Sequence, residues 1–373
     1  MDAVTLFLTG DVMPGRGIDQ VLPHSVDPTL HEPWVKDARH YVTLAEEASG
    51  PIPALKAPGG FSYVWGDALA ELERARPAAR IVNLETAITT SDDHWPAKGI
   101  HYRMHPENVP VLTAAGIDCC VLANNHVLDW GFPGLEATLA TLRRAGLRTA
   151  GAGHDLEQAR DPAVLDAGGG RRVLVVAMAS VTSGVPAEWA ATAERAGVFL
   201  LPEPPAKVLP QMREVLERAR RPADLVVASI HWGGNWGYRV PEEQRALARR
   251  LIDEAGVAVV HGHSSHHVKA IEVHDGRLVL YGCGDFLTDY EGIGGREHYR
   301  GDLALAYFPA LDPATGELQA LEMAPFVHRR FRLERAPQED ARWLAALLTR
   351  EGESFATTVE LGDDGRLRLR WKM

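Results

Sequence analysis

Residues 4–16 read VTLFLTGDVMPGR, and this stretch decides the fold class. An apolar run of strand length, Val4–Thr9, stops at Gly10 and delivers Asp11 to its end. The same event recurs along the chain. Arg80–Leu84 runs into Asn83-Leu84-Glu85, and Ile117–Ala123 into Asn124-Asn125-His126 and then Asp129-Trp130-Gly131. Leu225–Ile230 runs into His231-Trp232-Gly233-Gly234, and Val257–Val260 into His261-Gly262-His263-Ser264-Ser265-His266-His267. Val173–Ala179 is a further buried-strand run. Between these runs, Trp65–Ala75, Pro133–Ala145, Pro205–Arg220 and Pro241–Ala255 carry helical spacing, three of them opening on proline. The alternation predicts an α/β layered domain. Asp275-Gly276 and Asp364-Gly365 mark two hairpins, Ala270–Tyr281 and Leu361–Arg370, so an antiparallel edge or second sheet is expected.

The chain has 373 residues, 46% hydrophobic and 24% charged, which suits a globular domain with a large core. Its net charge of −11 argues against nucleic acid as a partner. No apolar run is long enough for a membrane span, and MDAVTLFLTGD reads as a strand rather than a signal peptide. Cys119, Cys120 and Cys283 form no disulfide framework or zinc pattern, which suits a reducing cytoplasm. The segment Ile18–Gly60 is rich in Pro, Gly and His and poorly periodic; with Trp34, Tyr41 and the adjoining Phe61 it is expected to form a lid. One large domain over 1–334, with a helix and hairpin appendage over 335–373, is the expected organisation.

Each polar strand end has a plain reading alone. Asp11 can cap a helix, Glu85 can be a surface acid, Asn125 a turn residue and His231 a satisfied core imidazole. Five such ends on one rim favour a shared metal site, since open α/β sheets place ligands past the carboxyl ends of their strands. The expected ligands are drawn from Asp11, Glu85, Asn125, His231 and His263. Carboxylate, amide and imidazole together suit Mn, Fe, Zn or, with water completing the sphere, Ca or Mg. Gly151-Ala152-Gly153 lacks the third glycine of a dinucleotide fingerprint, and no nucleophile elbow or phosphate-cradling loop occurs. Trp232, Trp236 and Tyr238 read equally as core or as a substrate wall, and Arg16 as a substrate contact.

The pieces TGDVMPGR, VNLET, LANNHVLDWG, SIHWG, GHSSHH and LYGCGDF, in this order, resemble the CapA family of poly-γ-glutamate capsule synthesis proteins, related to calcineurin-like metallophosphoesterases. The resemblance implies a four-layer αββα sandwich with a metal centre on the strand rim. It places Asp11 as the first metal aspartate, Glu85 as the bridging acid, Asn125 as the amide ligand, and His231 and His263 as histidine ligands. His126 is then the catalytic histidine, Asp129 its orienting partner, and His266 the last histidine. Met13 departs from the phosphoesterase pattern, which has a histidine there.

A branch of the family resembles epimerases of lasso-type ribosomal precursor peptides, and the absence of an anchor in this chain points to that branch. Inverting a Cα needs an acid/base group on each face. His126 with Asp129 or Asp11 is expected on one face, and His266 or His263 with Asp285 on the other, with a divalent metal and no pyridoxal phosphate. A metal-dependent peptide epimerase is therefore the leading expectation, and a metal-dependent phosphoesterase or hydrolase of capsule metabolism the alternative.

Overall fold

A computed structural model describes residues 3–53, 55 and 59–372 of the chain. The architecture is mixed α/β, built on a ten-stranded and a six-stranded sheet. In the first sheet Val4–Val12, Ala79–Leu84, Cys119–Val121 and Arg148–Ala150 lie side by side in parallel. The long hairpin Leu303–Leu311 and Leu318–Arg329 then extends this sheet antiparallel from Val4–Val12. In the second sheet Arg172–Ala179, Leu225–His231, Val259–His263 and Arg277–Leu280 are parallel, with antiparallel edges at Ala163–Asp166 and Ile271–His274.

Alternation along the strands explains how the second sheet is covered on both faces. Val173, Val175 and Ala177 join Leu6, Leu8 and Ile81 of the first sheet in one core. Their neighbours Leu174, Val176 and Met178 join Met212, Leu216, Leu247 and Leu251 of two helices in another. One of those helices, Glu242–Ala255, shows why it forms where it does. Pro241 precedes it, Glu242 and Glu243 meet the positive end of its dipole, and Gly256 closes it in the left-handed conformation. Its buried stripe of Leu247, Leu251 and Ile252 contributes roughly 1.5–3 kcal/mol per side chain.

Each expected strand and helix has a counterpart, with ends shifted by a few residues. Trp65–Ala75 divides into a 3-10 turn over Gly60–Trp65 and a helix over Ala68–Ala75, and Pro205–Arg220 into Pro205–Val208 and Leu209–Ala219. Residues beyond 335 form the helix Gln338–Gly352 and a hairpin, whose strand Leu367–Trp371 pairs with Leu318–Arg329. Of the segment expected as a lid, residues 54 and 56–58 lie outside the described residues. Elsewhere in it, Arg16–Val21 and Arg39–Ser49 are helices, and Trp34 is 92% exposed.

One close backbone approach sets the site. Asp11 pairs with Asp285 of the short parallel strand Asp285–Leu287, and its amide donates to the Gly284 carbonyl at 3.0 Å. A β-carbon on Gly10 would sit 1.7 Å from that oxygen, so only glycine permits the contact.

Candidate metal centre

Asp11 is fully buried at the meeting point of the two sheets. Its Oδ1 accepts from Asn83 Nδ2 at 2.8 Å, and the same amide reaches Glu85 Oε2 at 3.3 Å. Asn83 is itself fixed, its Oδ1 accepting from Asn124 Nδ2 at 3.0 Å. From the second sheet, His231 and His263 are neighbours in register, with their Nδ1 atoms 2.8 Å apart. His263 Nδ1 lies 3.9 Å from Asp11 Oδ1, and His231 Nε2 3.6 Å from Glu85 Oε1 and 3.0 Å from Asn125 Oδ1. Asp11, His231 and His263 thus offer three donor atoms within 4.8 Å of one another.

A relay behind the site sets the tautomer of His263. His261 Nε2 donates to the Thr9 carbonyl at 2.6 Å, leaving its Nδ1 to accept from Ser229 Oγ at 3.0 Å. Ser229 Oγ in turn accepts from His263 Nε2 at 2.9 Å. This assignment leaves His263 Nδ1 bare toward the site, the arrangement that metal-binding histidines use.

Beside this group, His126 Nδ1 lies 2.6 Å from Asp129 Oδ2, and its Nε2 is 3.8 Å from Glu85 Oε1. The Tyr102 amide donates to Asp129 at 2.7 Å, and Lys98 Nζ stands 2.7 Å from Asp129 Oδ1 and 3.1 Å from His126 Nδ1. On the far side, His266 Nδ1 lies 2.8 Å from Asp285 Oδ1, and its Nε2 faces Asn235 Nδ2 at 3.0 Å.

Burial dominates the electrostatics. It raises Asp11 to about 7, with Asp285 adding to the rise, and it raises Glu85 well above the usual range, with Asp11 adding. Burial pulls His126 down to about 4 and holds His231 and His263 well below the ordinary value. His266 goes the other way: burial works against its charge, but Asp285 and Asp11 outweigh it and leave it raised. Burial also opposes the charge of Asp129, yet His126 and Lys98 hold its pKa low. Neutral imidazoles beside partly protonated carboxylates describe a pocket short of positive charge. The unpartnered, buried Asp11 Oδ2 says the same. The residues present therefore fit a divalent ion, which Asp11, Glu85, Asn125, His231 and His263 would hold.

The structure brings Asp11, Glu85, Asn125, His126, Asp129, His231, His263, His266 and Asp285 together. Trp232 lies elsewhere, 4% exposed in the helix-covered core, with its Nε1 donating to the Tyr281 carbonyl at 3.1 Å. Arg16 is buried, its guanidinium held by Asp289 and Glu32 and stacked on Tyr41 at 3.7 Å. Trp236, half-buried, stands 5.5 Å from the His266 ring, and Tyr238 packs on His267. Asn83, Lys98 and Ser229 contact the candidate residues directly, and residue-type reasoning passed over them. Asn83 sits within the VNLET motif and Ser229 within SIHWG, while Lys98 comes from an irregular loop with no sequence signal.

The family model for the bacterial capsule synthesis protein PGA_cap matches residues 5–290. The chain is 46% identical over 369 residues to the "Probable polyglutamine synthesis accessory protein" of Mycobacterium tuberculosis (strain H37Rv), covering 99% of this chain and 96% of the relative. It is 31% identical over 208 residues to the "PGA biosynthesis protein CapA" of Bacillus subtilis (strain 168), covering 56% and 52%. With the "Capsule biosynthesis protein CapA" of Bacillus anthracis it shares 30% over 192 residues, covering 52% and 45%.

These names correct the leading expectation. Relatives named for polyglutamine, PGA and capsule synthesis overturn the reading of the chain as a lasso-peptide epimerase, and with it the isomerase class. The physical reason for the error is plain. Histidine–carboxylate pairs on two sides of Asp11 move protons for many reactions, so residue types alone do not select Cα inversion.

Proposed function

This chain belongs to the bacterial capsule synthesis protein PGA_cap family, and from that premise we propose a metal-dependent hydrolase that serves polyglutamate or capsule polymer synthesis as an accessory enzyme. Its chemistry is phosphoester hydrolysis, and its two sheets with their helices form the four-layer αββα sandwich of calcineurin-like phosphoesterases. The observation that carries the reading is the buried convergence of Asp11, His231 and His263 beside the His126–Asp129 pair. A divalent ion held by Asp11, Glu85, Asn125, His231 and His263 would supply Lewis-acid polarisation of the phosphoryl group.

The chain's own groups do the rest. His126 keeps its Nδ1 proton in the bond with Asp129, so its neutral Nε2 can take the proton released by the water that attacks phosphorus and pass it to the leaving oxygen as the ester bond breaks. Lys98 and the Tyr102 amide fix the Asp129 carboxylate so that the imidazole cannot turn away. Trp236 and Tyr238 form the substrate wall next to His266, and the helices Arg16–Val21 and Arg39–Ser49 with the loop between them serve as its cover. Arg16 serves by tying that cover down through Glu32.

The test is turnover. Protein loaded with Mn or Zn should release phosphate from an aryl phosphate ester, and His126→Ala should slow release by roughly 10²–10⁴-fold. If the loaded protein binds a γ-glutamyl polymer yet leaves both it and the ester intact, the hydrolase reading is wrong and a binding role replaces it.

A further inference from the structure

Arg16 opens the first helix with φ at 51°, a left-handed conformation that a residue other than glycine keeps only where its surroundings hold it. Two carboxylates hold the side chain. Asp289 accepts from Nε at 2.8 Å and from Nη2 at 2.6 Å, and the Gly17 amide and the Tyr102 hydroxyl donate to the same carboxylate at 2.8 Å and 3.0 Å. That one carboxylate already matches the guanidinium charge. Glu32 nevertheless brings a second, its Oε1 accepting from Arg16 Nη1 at 2.9 Å and its Oε2 from the Tyr41 hydroxyl at 2.5 Å, and it is 4% exposed. A surplus buried anion is costly unless the place is shaped for a carboxylate. The place adjoins the metal centre on both sides. Arg16 lies over the Tyr102 ring at 4.4 Å, and that ring stands edge-on to His126 at 4.9 Å. Tyr290, 5.6 Å from Arg16, stands edge-on to His266 at 5.2 Å. Glu32 itself comes from a surface turn, closed by the Leu30 amide on the Lys36 carbonyl at 3.0 Å, in which His31, Pro33, Trp34 and Lys36 are exposed. A turn with so few buried groups opens more readily than the strand ends beneath it.

We infer that Arg16 Nη1 and the Tyr41 hydroxyl form a subsite for a carboxylate of the substrate, that Glu32 fills it in the free protein, and that a glutamyl unit of the polymer takes its place. Two donors meeting the two oxygens of one carboxylate, one of them a guanidinium, give the charge-assisted recognition that such a group needs. Because the arriving and departing groups are chemically alike, the exchange leaves no donor bare. Glu32 is then an internal competitor that lowers the apparent affinity for substrate. The inference rests on the polyglutamate part of the proposed function and not on the reaction.

The experiment is calorimetry on the full-length protein with two probes, a γ-glutamyl trimer and the same trimer with every carboxyl converted to amide. Glu32→Gln keeps the shape of the turn and removes the competing charge. It should bind the acid trimer roughly 10–100-fold more tightly than wild type does, and the amide trimer no better. Glu32→Asp, one methylene short of the seat, should gain in the same direction. Adding Tyr41→Phe to Glu32→Gln should take back about fivefold, since it deletes one donor. Circular dichroism confirms that each variant is folded. Equal gains for both trimers would mean that the cover has only loosened, and would overturn the subsite. So would an acid trimer that binds wild type and Glu32→Gln alike, or binds neither. Phosphate release from the aryl ester, measured on the same samples, keeps the two readings apart: if it proceeds while the trimer results fail, the hydrolase stands and only the carboxylate subsite is lost.

Discussion

Two regions of this molecule concentrate histidine, and they are built on different physics. At the strand rim, His231, His263 and His266 sit at or just past strand ends, buried, with ring nitrogens turned toward Asp11, Glu85 and Asp285. On the loops nearby, His31, His94 and His101 gather around Trp130, where the rings face one another instead of a common point. His31 and His94 stack at 3.6 Å with planes 7° apart, and His101 lies edge-on to His94 at 5.5 Å. His101 spends its Nε2 on the Trp95 carbonyl at 2.8 Å, and the nearby acid Asp92 is paired with Arg103. Among the described residues, the only groups of three donors close enough for an ion lie at the rim. Histidine count does not make a metal site. Rigid strand ends that aim nitrogens at carboxylates do.

That contrast can be broken most forcefully through pH. Asp11 titrates near 7 when folded, above its unfolded value, so the stability it lends is present below about pH 4 and lost as pH rises through about 7. In chelator, Asp11→Asn should therefore gain on wild type by up to a few kcal/mol between about pH 5 and about pH 8. Added Mn should reverse the order, because it stabilises only the charged wild-type site. Parallel thermal melts would show this; a pH-independent gap between the two proteins would refute it.

The next largest effect tests the strand pairing that aims the rim groups. Gly10→Ala forces a β-carbon into the Gly284 carbonyl and should destabilise the fold by about 1–3 kcal/mol in denaturant titration. It should also lower the Mn count, whereas an alanine at the solvent-facing Gly234, where no atom lies within 4 Å, should change neither.

Ser229→Ala probes the relay behind His263. Outer-shell partners of this kind are worth 10–100-fold in metal affinity, so roughly that weakening is expected by calorimetry, with the fold intact. An unchanged affinity would mean that the tautomer of His263 is not set there.

The smallest change belongs to the loop cluster. His94→Ala removes half of a stack at the surface and should alter stability by about 0.5–1.5 kcal/mol at most, leaving ion binding untouched. Loss of an ion would erase the distinction between the two regions.

The sequence made the rim legible because each candidate ligand closes an apolar run: Asp11, Glu85, Asn125, His231 and His263 all announce themselves by position. The α/β class was legible for the same reason, from strands such as Leu225–His231 that are buried on both faces. The hairpin Leu303–Leu311 and Leu318–Arg329 was not, because its turn, Asp312–Glu317, lacks the two-residue signal that marked Asp275-Gly276. Lys98 was invisible because its contact depends on a loop folding back over Asp129, and nothing in LYGCGDF reveals that the strand of Asp285 lies against Asp11. The reaction was beyond the residues altogether, since the same imidazole–carboxylate pairs serve proton transfer in either chemistry.

The central claim is that the rim, and not the richer-looking loop cluster, is where this protein holds metal. Anomalous scattering from crystals of the Mn-loaded protein tests it directly. A peak beside Asp11, on the side of His231 and His263, is the expected result. A peak among His31, His94 and His101, or none at the rim, would contradict it.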